Sequence, residues 1–359
     1  MKTEDYCIFI ISYGRPEFLK NKTWRLLERL NSSAKKYIVC SDDDSTLQEY
    51  KDMYGEETVI VFNKEECEKS THFDLMDCYH GEHNNKAGAV WARNMQYKLA
   101  RKLGYRWFMM FDDDYISFHI RNVFKSKTGK KYNDAKCDFY GHTFDEYCLK
   151  MFDVLNSSPW LYALGSPQGG DYVASPDNDR KTGFVNEEYK FKAMNVFWFD
   201  CEKEIRFYGR TNEDCTAYVL NGSRGELSLT MHGPQIRQVP TQLKKGGMTD
   251  IYKYFGTYTK SLYSSMALPS GVYVNVVGGT KNMNKSIRIH HLVKWNNTVP
   301  KIIDDKYCKG KPSDYLTECI RDDIQIDDNG DVIEIKNDSF IDSELVENFN
   351  AENNLEMFI

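Results

Sequence analysis

The stretch that decides the fold is RWFMMFDDDYISF, residues 106–118, in which an apolar run leads directly into three adjacent carboxylates. An apolar run of this length, bounded by polar residues, is typical of a buried β-strand. Three like charges side by side repel one another, so something at the end of the strand must favour holding them there. A bound cation is the simplest candidate, and the stretch therefore predicts a buried strand that ends at a metal site.

Strands and helices alternate along the first third of the chain. Short apolar runs predict the strands, and apolar residues three or four positions apart predict the helices. Besides the quoted stretch, strands are predicted at 7–11, 37–40 and 58–62, and helices at 17–30, 46–54 and 88–103. Alternation of this kind builds a parallel sheet, whose ligands bind beyond the carboxyl ends of the strands. The predicted fold class is α/β, with a site at the loops that begin at Ser12, Ser41 and Asp112.

Charge is spread unevenly along the 359 residues. Residues 321–359 contain twelve Asp or Glu and two Lys or Arg, whereas the preceding part carries 45 basic and 41 acidic residues. The sequence therefore predicts a weakly basic body and an acidic, poorly ordered tail at 321–359, in which residues 331–335 and an Asn-Gly turn predict one small hairpin. No apolar run approaches the roughly 20 residues that span a bilayer. Since the first residues, MKTED, are too acidic for a signal peptide, we expect a soluble, cytoplasmic protein (in the host cytoplasm if the chain is viral) with no membrane partner.

The ten cysteines do not have the spacing of a structural zinc site. No Cys-x-x-Cys pair occurs among them. In a reducing compartment cysteines stay as free thiols, and free cysteine is often buried in the core. We therefore expect scattered free thiols with no redox role.

A second acidic triplet competes with the first for the metal site. Residues 42–44 are also three aspartates after a strand, but they precede a predicted helix, where acidic residues cap the helix and interact well with its dipole. Residues 112–114 follow a longer apolar strand and lead into no helix. Carboxylates two positions apart on an extended segment point the same way, so Asp112 and Asp114 can hold Mg²⁺ or Mn²⁺ against a diphosphate.

Several motifs together resemble a known enzyme family. They are IISYGRP at 10–16, ARN at 92–94, GYRW at 104–107, the aspartate triplet at 112–114, and TNED at 211–214. This combination resembles the GT-A glycosyltransferases and, more narrowly, the TET-associated glycosyltransferases of phages, which decorate hydroxymethylated pyrimidines in DNA. The resemblance covers about residues 6–305, and the acidic tail falls outside it.

The resemblance implies a fold and a reaction. Residues 1–320 would form one GT-A domain, with a mainly parallel nucleotide-sugar half at about 1–118 and an acceptor half with antiparallel strands at about 119–305. The enzyme would use a divalent metal, Mn²⁺ or Mg²⁺, and a nucleotide-sugar donor, expected to be UDP-linked. It would move the sugar to a hydroxyl, with the 5-hydroxymethyl group of modified pyrimidines in phage DNA, such as 5-hydroxymethylcytosine, as the leading acceptor. DNA carrying that base would then be its partner.

The resemblance also implies which residues contact the donor and the metal. Asp112 and Asp114 would bind the cation, which neutralises charge on the leaving diphosphate. A histidine from the C-terminal half would complete the site, with His291 preferred and His290 and His232 as alternatives. Contacts with the donor would come from Ser12, Gly14, Arg15, Asp42, Asp43, Asp44, Arg93, Asp112 and Asp113.

Two of these donor contacts have a simpler interpretation. Arg93 would face the pyrophosphate or the base, but an arginine on a helix also pairs readily with a neighbouring acid. Gly14 alternatively serves only to permit the turn before Pro16.

The acceptor hydroxyl needs a carboxylate base on the face opposite the leaving diphosphate. Within the TNED motif Glu213 and Asp214 are the candidates, and Asp214 is preferred. The other can cap the helix or pair with Arg210.

DNA contact requires local positive charge. Two basic stretches, 121–132 and 235–245, lie in the predicted acceptor half. A flipped or single-stranded base would stack on an aromatic side chain such as Trp198, Tyr252 or Tyr258. Residues 193–200 read as an antiparallel strand of this half.

Three other functions stay open at this point. The same fold can act on a protein, polysaccharide or small-molecule acceptor. A nucleotidyltransferase also uses carboxylate-bound Mg²⁺ but releases pyrophosphate, and the sequence has no glycine-rich triphosphate loop followed by Lys near its first strand. A non-catalytic DNA-binding module would leave Asp112 and Asp114 unexplained.

Overall fold

The computed structural model describes residues 1–71, 88–125, 131–138, 143–166, 192–230, 234–239, 259–277, 288–298, 324–326 and 332–335. The strands are β1 (Tyr6–Ile11), β2 (Lys35–Ser41), β3 (Val59–Phe62), β4 (Trp107–Asp112), β5 (Tyr115–Lys125), β6 (Lys131–Asp138), β7 (Leu161–Ser166), β8 (Val196–Asp200), β9 (Leu227–Thr230), β10 (Pro234–Gln238), β11 (Val272–Val277), β12 (Arg288–Val293), β13 (Ile324–Ile326) and β14 (Val332–Ile335). The helices are α1 (Pro16–Leu19), α2 (Arg25–Arg29), α3 (Leu47–Tyr54), α4 (Lys64–Thr71), α5 (Val90–Lys102), α6 (Thr143–Ser157), α7 (Glu213–Ser223) and α8 (Lys260–Ala267). A π-helical turn, Lys20–Trp24, joins α1 to α2, and 3-10 turns lie at Thr3–Asp5 and Trp295–Asn297.

The main sheet has the order β3-β2-β1-β4-β8-β7-β9 within the described residues. Strands β3, β2, β1 and β4 are parallel, β8 is antiparallel to both of its neighbours, and β7 is parallel to β9. This confirms the predicted α/β class with a mainly parallel sheet, and the antiparallel strand expected at 193–200. Ile11 lies opposite both Val39 and Asp112, so the loops after β1, β2 and β4 meet at one edge.

The sheet has a hydrophobic core on each face, and β4 contributes to both. Trp107, Met109 and Phe111 face one core, and Phe108 and Met110 face the other, on which α5 packs. Side chains alternate between the faces of a strand. Asp112, the last residue of β4, therefore faces the α5 side, whereas Asp113 and Asp114 lie in a turn and not on the extended segment that the sequence predicted.

A second, antiparallel part of the molecule adjoins this sheet. Strands β10, β5 and β6 form a three-stranded sheet, and β11 and β12 form a hairpin that packs against α8. Helix α8 also packs against α7, which links the hairpin to the main sheet. The pair β13–β14 confirms the hairpin predicted in the acidic tail.

Three further predictions can be compared with the described residues. The helix expected at 17–30 is present, but a π-helical turn interrupts it. The free thiols that the sequence predicts are present and buried within the described residues, at Cys7, Cys40, Cys67, Cys148, Cys201 and Cys215. None of the helices in the described ranges is long and apolar enough to cross a membrane.

Candidate active site

The first contact at the strand ends joins the loop after β1 to Asp113. Ser12 Oγ donates a hydrogen bond to Asp113 Oδ2 at 2.6 Å and lies 2.5 Å from the hydroxyl of Tyr50. Arg15 forms an ion pair with the same carboxylate, with Nε 2.7 Å from Oδ2. Asp113 is only 1% exposed, and burial raises its pKa while Arg15 opposes the shift. The structure therefore brings together three residues that were predicted to contact the donor.

A second contact joins the loop after β1 to the first aspartate triplet. Gly14 has a φ of +70°, in the left-handed region that glycine adopts without strain, and its N–H donates to Asp44 Oδ2 at 2.7 Å. The other oxygen of Asp44 accepts from the N–H and the hydroxyl of Thr46, both at 2.8 Å, at the start of α3. Asp44 thus orders the turn that leads into α3, but it is not the N-cap that the sequence allowed, because Thr46 holds that position.

Asp42 and Asp43 contact the loop after β3. Asp42 accepts from Asn63 Nδ2 at 2.5 Å and from the N–H of Lys64 at 3.2 Å, and Asp43 accepts from Lys64 Nζ at 2.8 Å. That ammonium also lies over the Tyr13 ring, 4.9 Å from its centroid. The first triplet is therefore tied to residues that follow β3.

Arg93 on α5 joins the second triplet to the TNED motif. Its Nη2 donates to both oxygens of Asp112, at 3.0 and 3.1 Å, and its Nε donates to Glu213 Oε1 at 3.1 Å. Burial alone would lower the pKa of Arg93, but the carboxylates of Asp112 and Glu213 raise it, so the guanidinium stays charged. In this structure Arg93 makes the acid pairing that the sequence offered as the alternative. It is buried, however, not on the surface.

The two candidate bases stand at the start of α7. Asn212, the residue before the helix, has a φ of +60° and donates from Nδ2 to Ser264 Oγ on α8 at 2.8 Å. Asp214 accepts from the N–H of Cys215 at 2.7 Å. Burial, opposed by Arg93, raises the pKa of Glu213 to about 7. Glu213 can therefore hold or release a proton near neutral pH, and Asp214 is the less enclosed of the two.

Asp114 differs from the other two members of its triplet because neither arginine neutralises it directly. Its Oδ1 is buried and has no hydrogen-bond partner among the described residues. Burial, together with Asp112 and Asp113, raises the pKa of Asp114 to about 8. Near neutral pH the Asp114 carboxyl is therefore largely protonated, and its ionisation would leave a buried negative charge without a matching cation.

A divalent cation fits this charge distribution. Carboxylate oxygens are the ligands that Mg²⁺ and Mn²⁺ prefer, and the unpaired Asp114 oxygen provides one. Asp112 would share its carboxylate between the cation and Arg93. In the part of the chain that the structure describes, no group of three or more His, Cys, Asp or Glu side chains is already arranged around a common metal position.

The predicted histidine ligand lies on the β11–β12 hairpin. His291 is 7% exposed and is paired with Val274, and its ring lies 4.5 Å from the ring of His290. The preference between the two as a metal ligand stays a prediction. The alternative His232 lies outside the described residues.

The predicted DNA-binding elements are only partly described. Strand β10 pairs with β5, with Arg237 opposite Ser117, so the two basic stretches share the three-stranded sheet. Trp198 is fully buried in the core, and the prediction that it stacks on a base is therefore wrong. Tyr252 and Tyr258 lie outside the described residues.

Sequence reasoning missed several residues of the site. Tyr50 contacts both Ser12 and the N–H of Arg15, Lys64 bridges two loops, and Thr23 hydrogen-bonds the backbone of the second triplet. Thr23 had a detectable signal, because it occupies a position between Leu19 and the buried Leu26 where the helical pattern calls for an apolar residue.

Comparison with known proteins agrees with this geometry. A family model described as TET-Associated Glycosyltransferase matches residues 6–247. The chain therefore belongs to the TET-associated glycosyltransferase family, and the predicted enzyme class, a glycosyltransferase, is confirmed. No curated protein matches the chain.

The solved structures that match the chain have low sequence identity to it and TM-scores below 0.5. TarS 1–349 from S. aureus is 13% identical, with a TM-score of 0.36, over 73% of this chain and 65% of that chain. Glucosyl-3-phosphoglycerate synthase from Mycobacterium tuberculosis, in complex with Mn²⁺, UDP and phosphoglyceric acid, is 8% identical, with a TM-score of 0.38, over 83% and 88% of the two chains. The matched region thus spans less than two thirds of the TarS fragment.

Proposed function

We propose that this protein is a metal-dependent glycosyltransferase that transfers a sugar from a UDP-linked or similar donor to the hydroxymethyl group of a modified pyrimidine in DNA. Membership of the family supports the reaction class, and the family description, which refers to TET, supports the acceptor. The observation that carries the proposal is the connection Asp112–Arg93–Glu213. Through one buried guanidinium it joins Asp112, a proposed metal ligand, to Glu213, the neighbour of the proposed base Asp214.

On the donor side, the two ends of the acidic triplet would hold the cation. Asp112 and Asp114 supply carboxylate oxygens, and His291 is the proposed third ligand. When bound, the metal would stabilise the negative charge that develops on the leaving nucleoside diphosphate. The nucleoside would lie over the loops after β1 and β2, against Ser12, Gly14, Arg15 and residues 42–44.

On the acceptor side, a carboxylate at the start of α7 would take the hydroxyl proton. We assign this role to Asp214, since Glu213 is already engaged by Arg93. Glu213 would keep Arg93 oriented and could exchange a proton near neutral pH. The acceptor half, residues 119–305, would bring DNA to this point through the basic stretches on the sheet of β5, β6 and β10.

The experiment that tests the proposal is nucleoside diphosphate release by the purified protein with Mn²⁺ and a panel of nucleotide sugars, with and without hydroxymethylcytosine DNA. The decisive variant is the Asp112→Ala, Asp114→Ala double substitution. Glu56→Ala with Glu57→Ala is a matched control, because it also removes two nearby carboxylates, but from an exposed turn. We expect DNA-dependent release by the parent and the control, and none by the double variant.

Each other outcome identifies what is wrong. Release without any need for modified DNA would overturn the DNA acceptor and leave a glycosyltransferase for another hydroxyl. Release of pyrophosphate from a nucleoside triphosphate would indicate a nucleotidyltransferase. DNA binding with no turnover of any donor would indicate a non-catalytic module. Full release by the double variant would remove Asp112 and Asp114 from the metal site.

A further inference from the structure

A threonine from the first helical segment closes the turn that carries the acidic triplet. Thr23 is 0% exposed, and its Oγ1 donates to the backbone carbonyl of Asp112 at 2.7 Å. The same oxygen accepts from the backbone N–H of Tyr115 at 2.9 Å. A hydroxyl can donate one hydrogen bond and accept others, so one side chain satisfies both ends of the turn between β4 and β5.

The helical segment is built to deliver this hydroxyl. Its apolar positions Leu19, Leu26 and Leu30 are buried, and Thr23 lies on the same side. Thr23 belongs to the π-helical turn Lys20–Trp24. Such wider turns occur mostly as single turns inside α-helices and are frequent at functional sites. A second contact holds the same region, because Arg29 Nη2 donates to the carbonyl of Ile116 at 3.0 Å.

The turn closed by Thr23 also orients a triplet carboxylate. Tyr115, whose N–H is held by Thr23, donates from its hydroxyl to Asp112 Oδ2 at 3.1 Å. Thr23 therefore fixes the backbone of Asp112 at one end of the turn. At the other end it fixes the backbone of Tyr115, whose hydroxyl contacts the Asp112 side chain. Asp114 lies inside the same closed turn, and its carbonyl accepts from the N–H of Val239 at 3.0 Å.

We propose that Thr23 is a positioning residue for the metal site. Its hydroxyl holds the turn from Asp112 to Tyr115 in the conformation that lets Asp112 and Asp114 bind the divalent cation. The inference rests on the metal site of the proposed function. Residues that orient metal ligands typically change metal affinity or activity by about 10- to 100-fold when they are substituted. Thr23 would act in this way through the backbone of its ligands, without touching the metal.

The test compares Mn²⁺ binding by three variants, measured from the free Mn²⁺ signal in electron paramagnetic resonance without any donor or acceptor. Thr23→Val keeps the shape but removes the hydroxyl, and we expect its Mn²⁺ dissociation constant to rise at least about tenfold. Thr23→Ser restores the hydroxyl and should bind within about threefold of the parent. Thr298→Val is the control, because it removes another buried threonine hydroxyl, which donates to the carbonyl of Trp295 at 3.2 Å. It should leave Mn²⁺ binding unchanged.

The outcomes separate this inference from the proposed function. If the parent binds Mn²⁺ and folded Thr23→Val binds it equally well, Thr23 has no positioning role and only this inference fails. If the parent binds no Mn²⁺, the metal-dependent function fails and the inference falls with it.

A second measurement on the unaltered protein covers the case in which Thr23→Val does not fold. The Tyr115 amide should exchange with deuterium as slowly as amides inside β4, because Thr23 accepts its hydrogen bond. Exchange at the rate of an exposed amide would overturn the inference.

Discussion

Replacing Arg93 with methionine tests the buried connection between the triplet and α7. Methionine keeps much of the length and apolar contact of arginine but removes its charge and all its donors. The substitution would leave Asp112 without its guanidinium and Glu213, which is 8% exposed, as a buried carboxylate with no countercharge. The expected result is a large loss of folding stability that comes from the carboxylates left behind.

The size of this loss follows from the contacts. Arg93 donates three charge-assisted hydrogen bonds to two carboxylates, at 3.0, 3.1 and 3.1 Å. Removing one partner of a buried ion pair typically costs about 3–5 kcal/mol, because the other charge stays buried and unpaired. Glu213 can limit the cost by taking up a proton, since burial already raises its pKa to about 7. We therefore expect about 3–5 kcal/mol at pH 8 and clearly less at pH 6.

Urea unfolding of the metal-free protein at both pH values measures this difference from the midpoints, provided that the slope of the transition is unchanged. Arg101→Met is the matched control on the same helix. Its ion pair with Glu204 is half-exposed, and removing an exposed pair costs about 0–1 kcal/mol. If Arg93→Met loses no more stability than Arg101→Met, or loses as much at pH 6 as at pH 8, the account of a buried, charge-compensating arginine is wrong.

Three further predictions concern single positions. Gly14→Ala should destabilise the protein by about 1 kcal/mol in urea unfolding, because the backbone φ of +70° is unfavourable for alanine, although the new Cβ meets no atom within 4 Å. Gly14→Asn should cost less, because asparagine adopts this left-handed conformation more readily. The pKa of Glu213 is about 7 in the folded protein and ordinarily 4.5, so between these pH values the folded protein holds a proton that the unfolded chain releases. As pH rises from 4.5 to about 7, the parent should therefore lose about 3 kcal/mol of folding stability relative to Glu213→Gln. Parallel pH profiles of the two proteins would contradict it. Asp114→Asn should stabilise the metal-free protein by about 1 kcal/mol above pH 8, where the parent carboxyl is ionised, and should abolish the rise in Tm with added Mn²⁺, whereas an unchanged response to Mn²⁺ would exclude Asp114 as a ligand.

The strands and the position of the site were predictable because they depend on local patterns. Apolar runs at 7–11, 37–40 and 58–62 gave strands whose observed ends differ by at most two residues. Parallel pairing then required the residues after Ile11 and those after β4 to lie at one edge. The contact between Ser12 and Asp113, 101 positions apart, is a consequence of this rule.

The side-chain partners within the site were not predictable in the same way. Arg93 and Glu213 are 120 positions apart, and Thr23 and Asp112 are 89 apart, so no local pattern relates them. Trp198 illustrates a function predicted where there is none. In a sequence an aromatic residue is equally compatible with packing in the core and with stacking on a ligand, and only its burial in the fold shows that Trp198 belongs to the core.

The distribution of charge around the triplet explains why three adjacent aspartates can serve one site. Asp112 is the last residue of β4 and faces α5, where Arg93 meets it, whereas Asp113 lies in the turn after the strand, where Arg15 meets it. Each of these carboxylates therefore has a permanent cation. Asp114 has none in the described structure, and burial beside its two acidic neighbours raises its pKa to about 8, so this carboxyl is largely protonated at neutral pH. Ionising it without metal would place an uncompensated charge in a buried site, which costs folding stability. A divalent cation would bind the ionised form in place of the proton, and binding would then stabilise the folded protein.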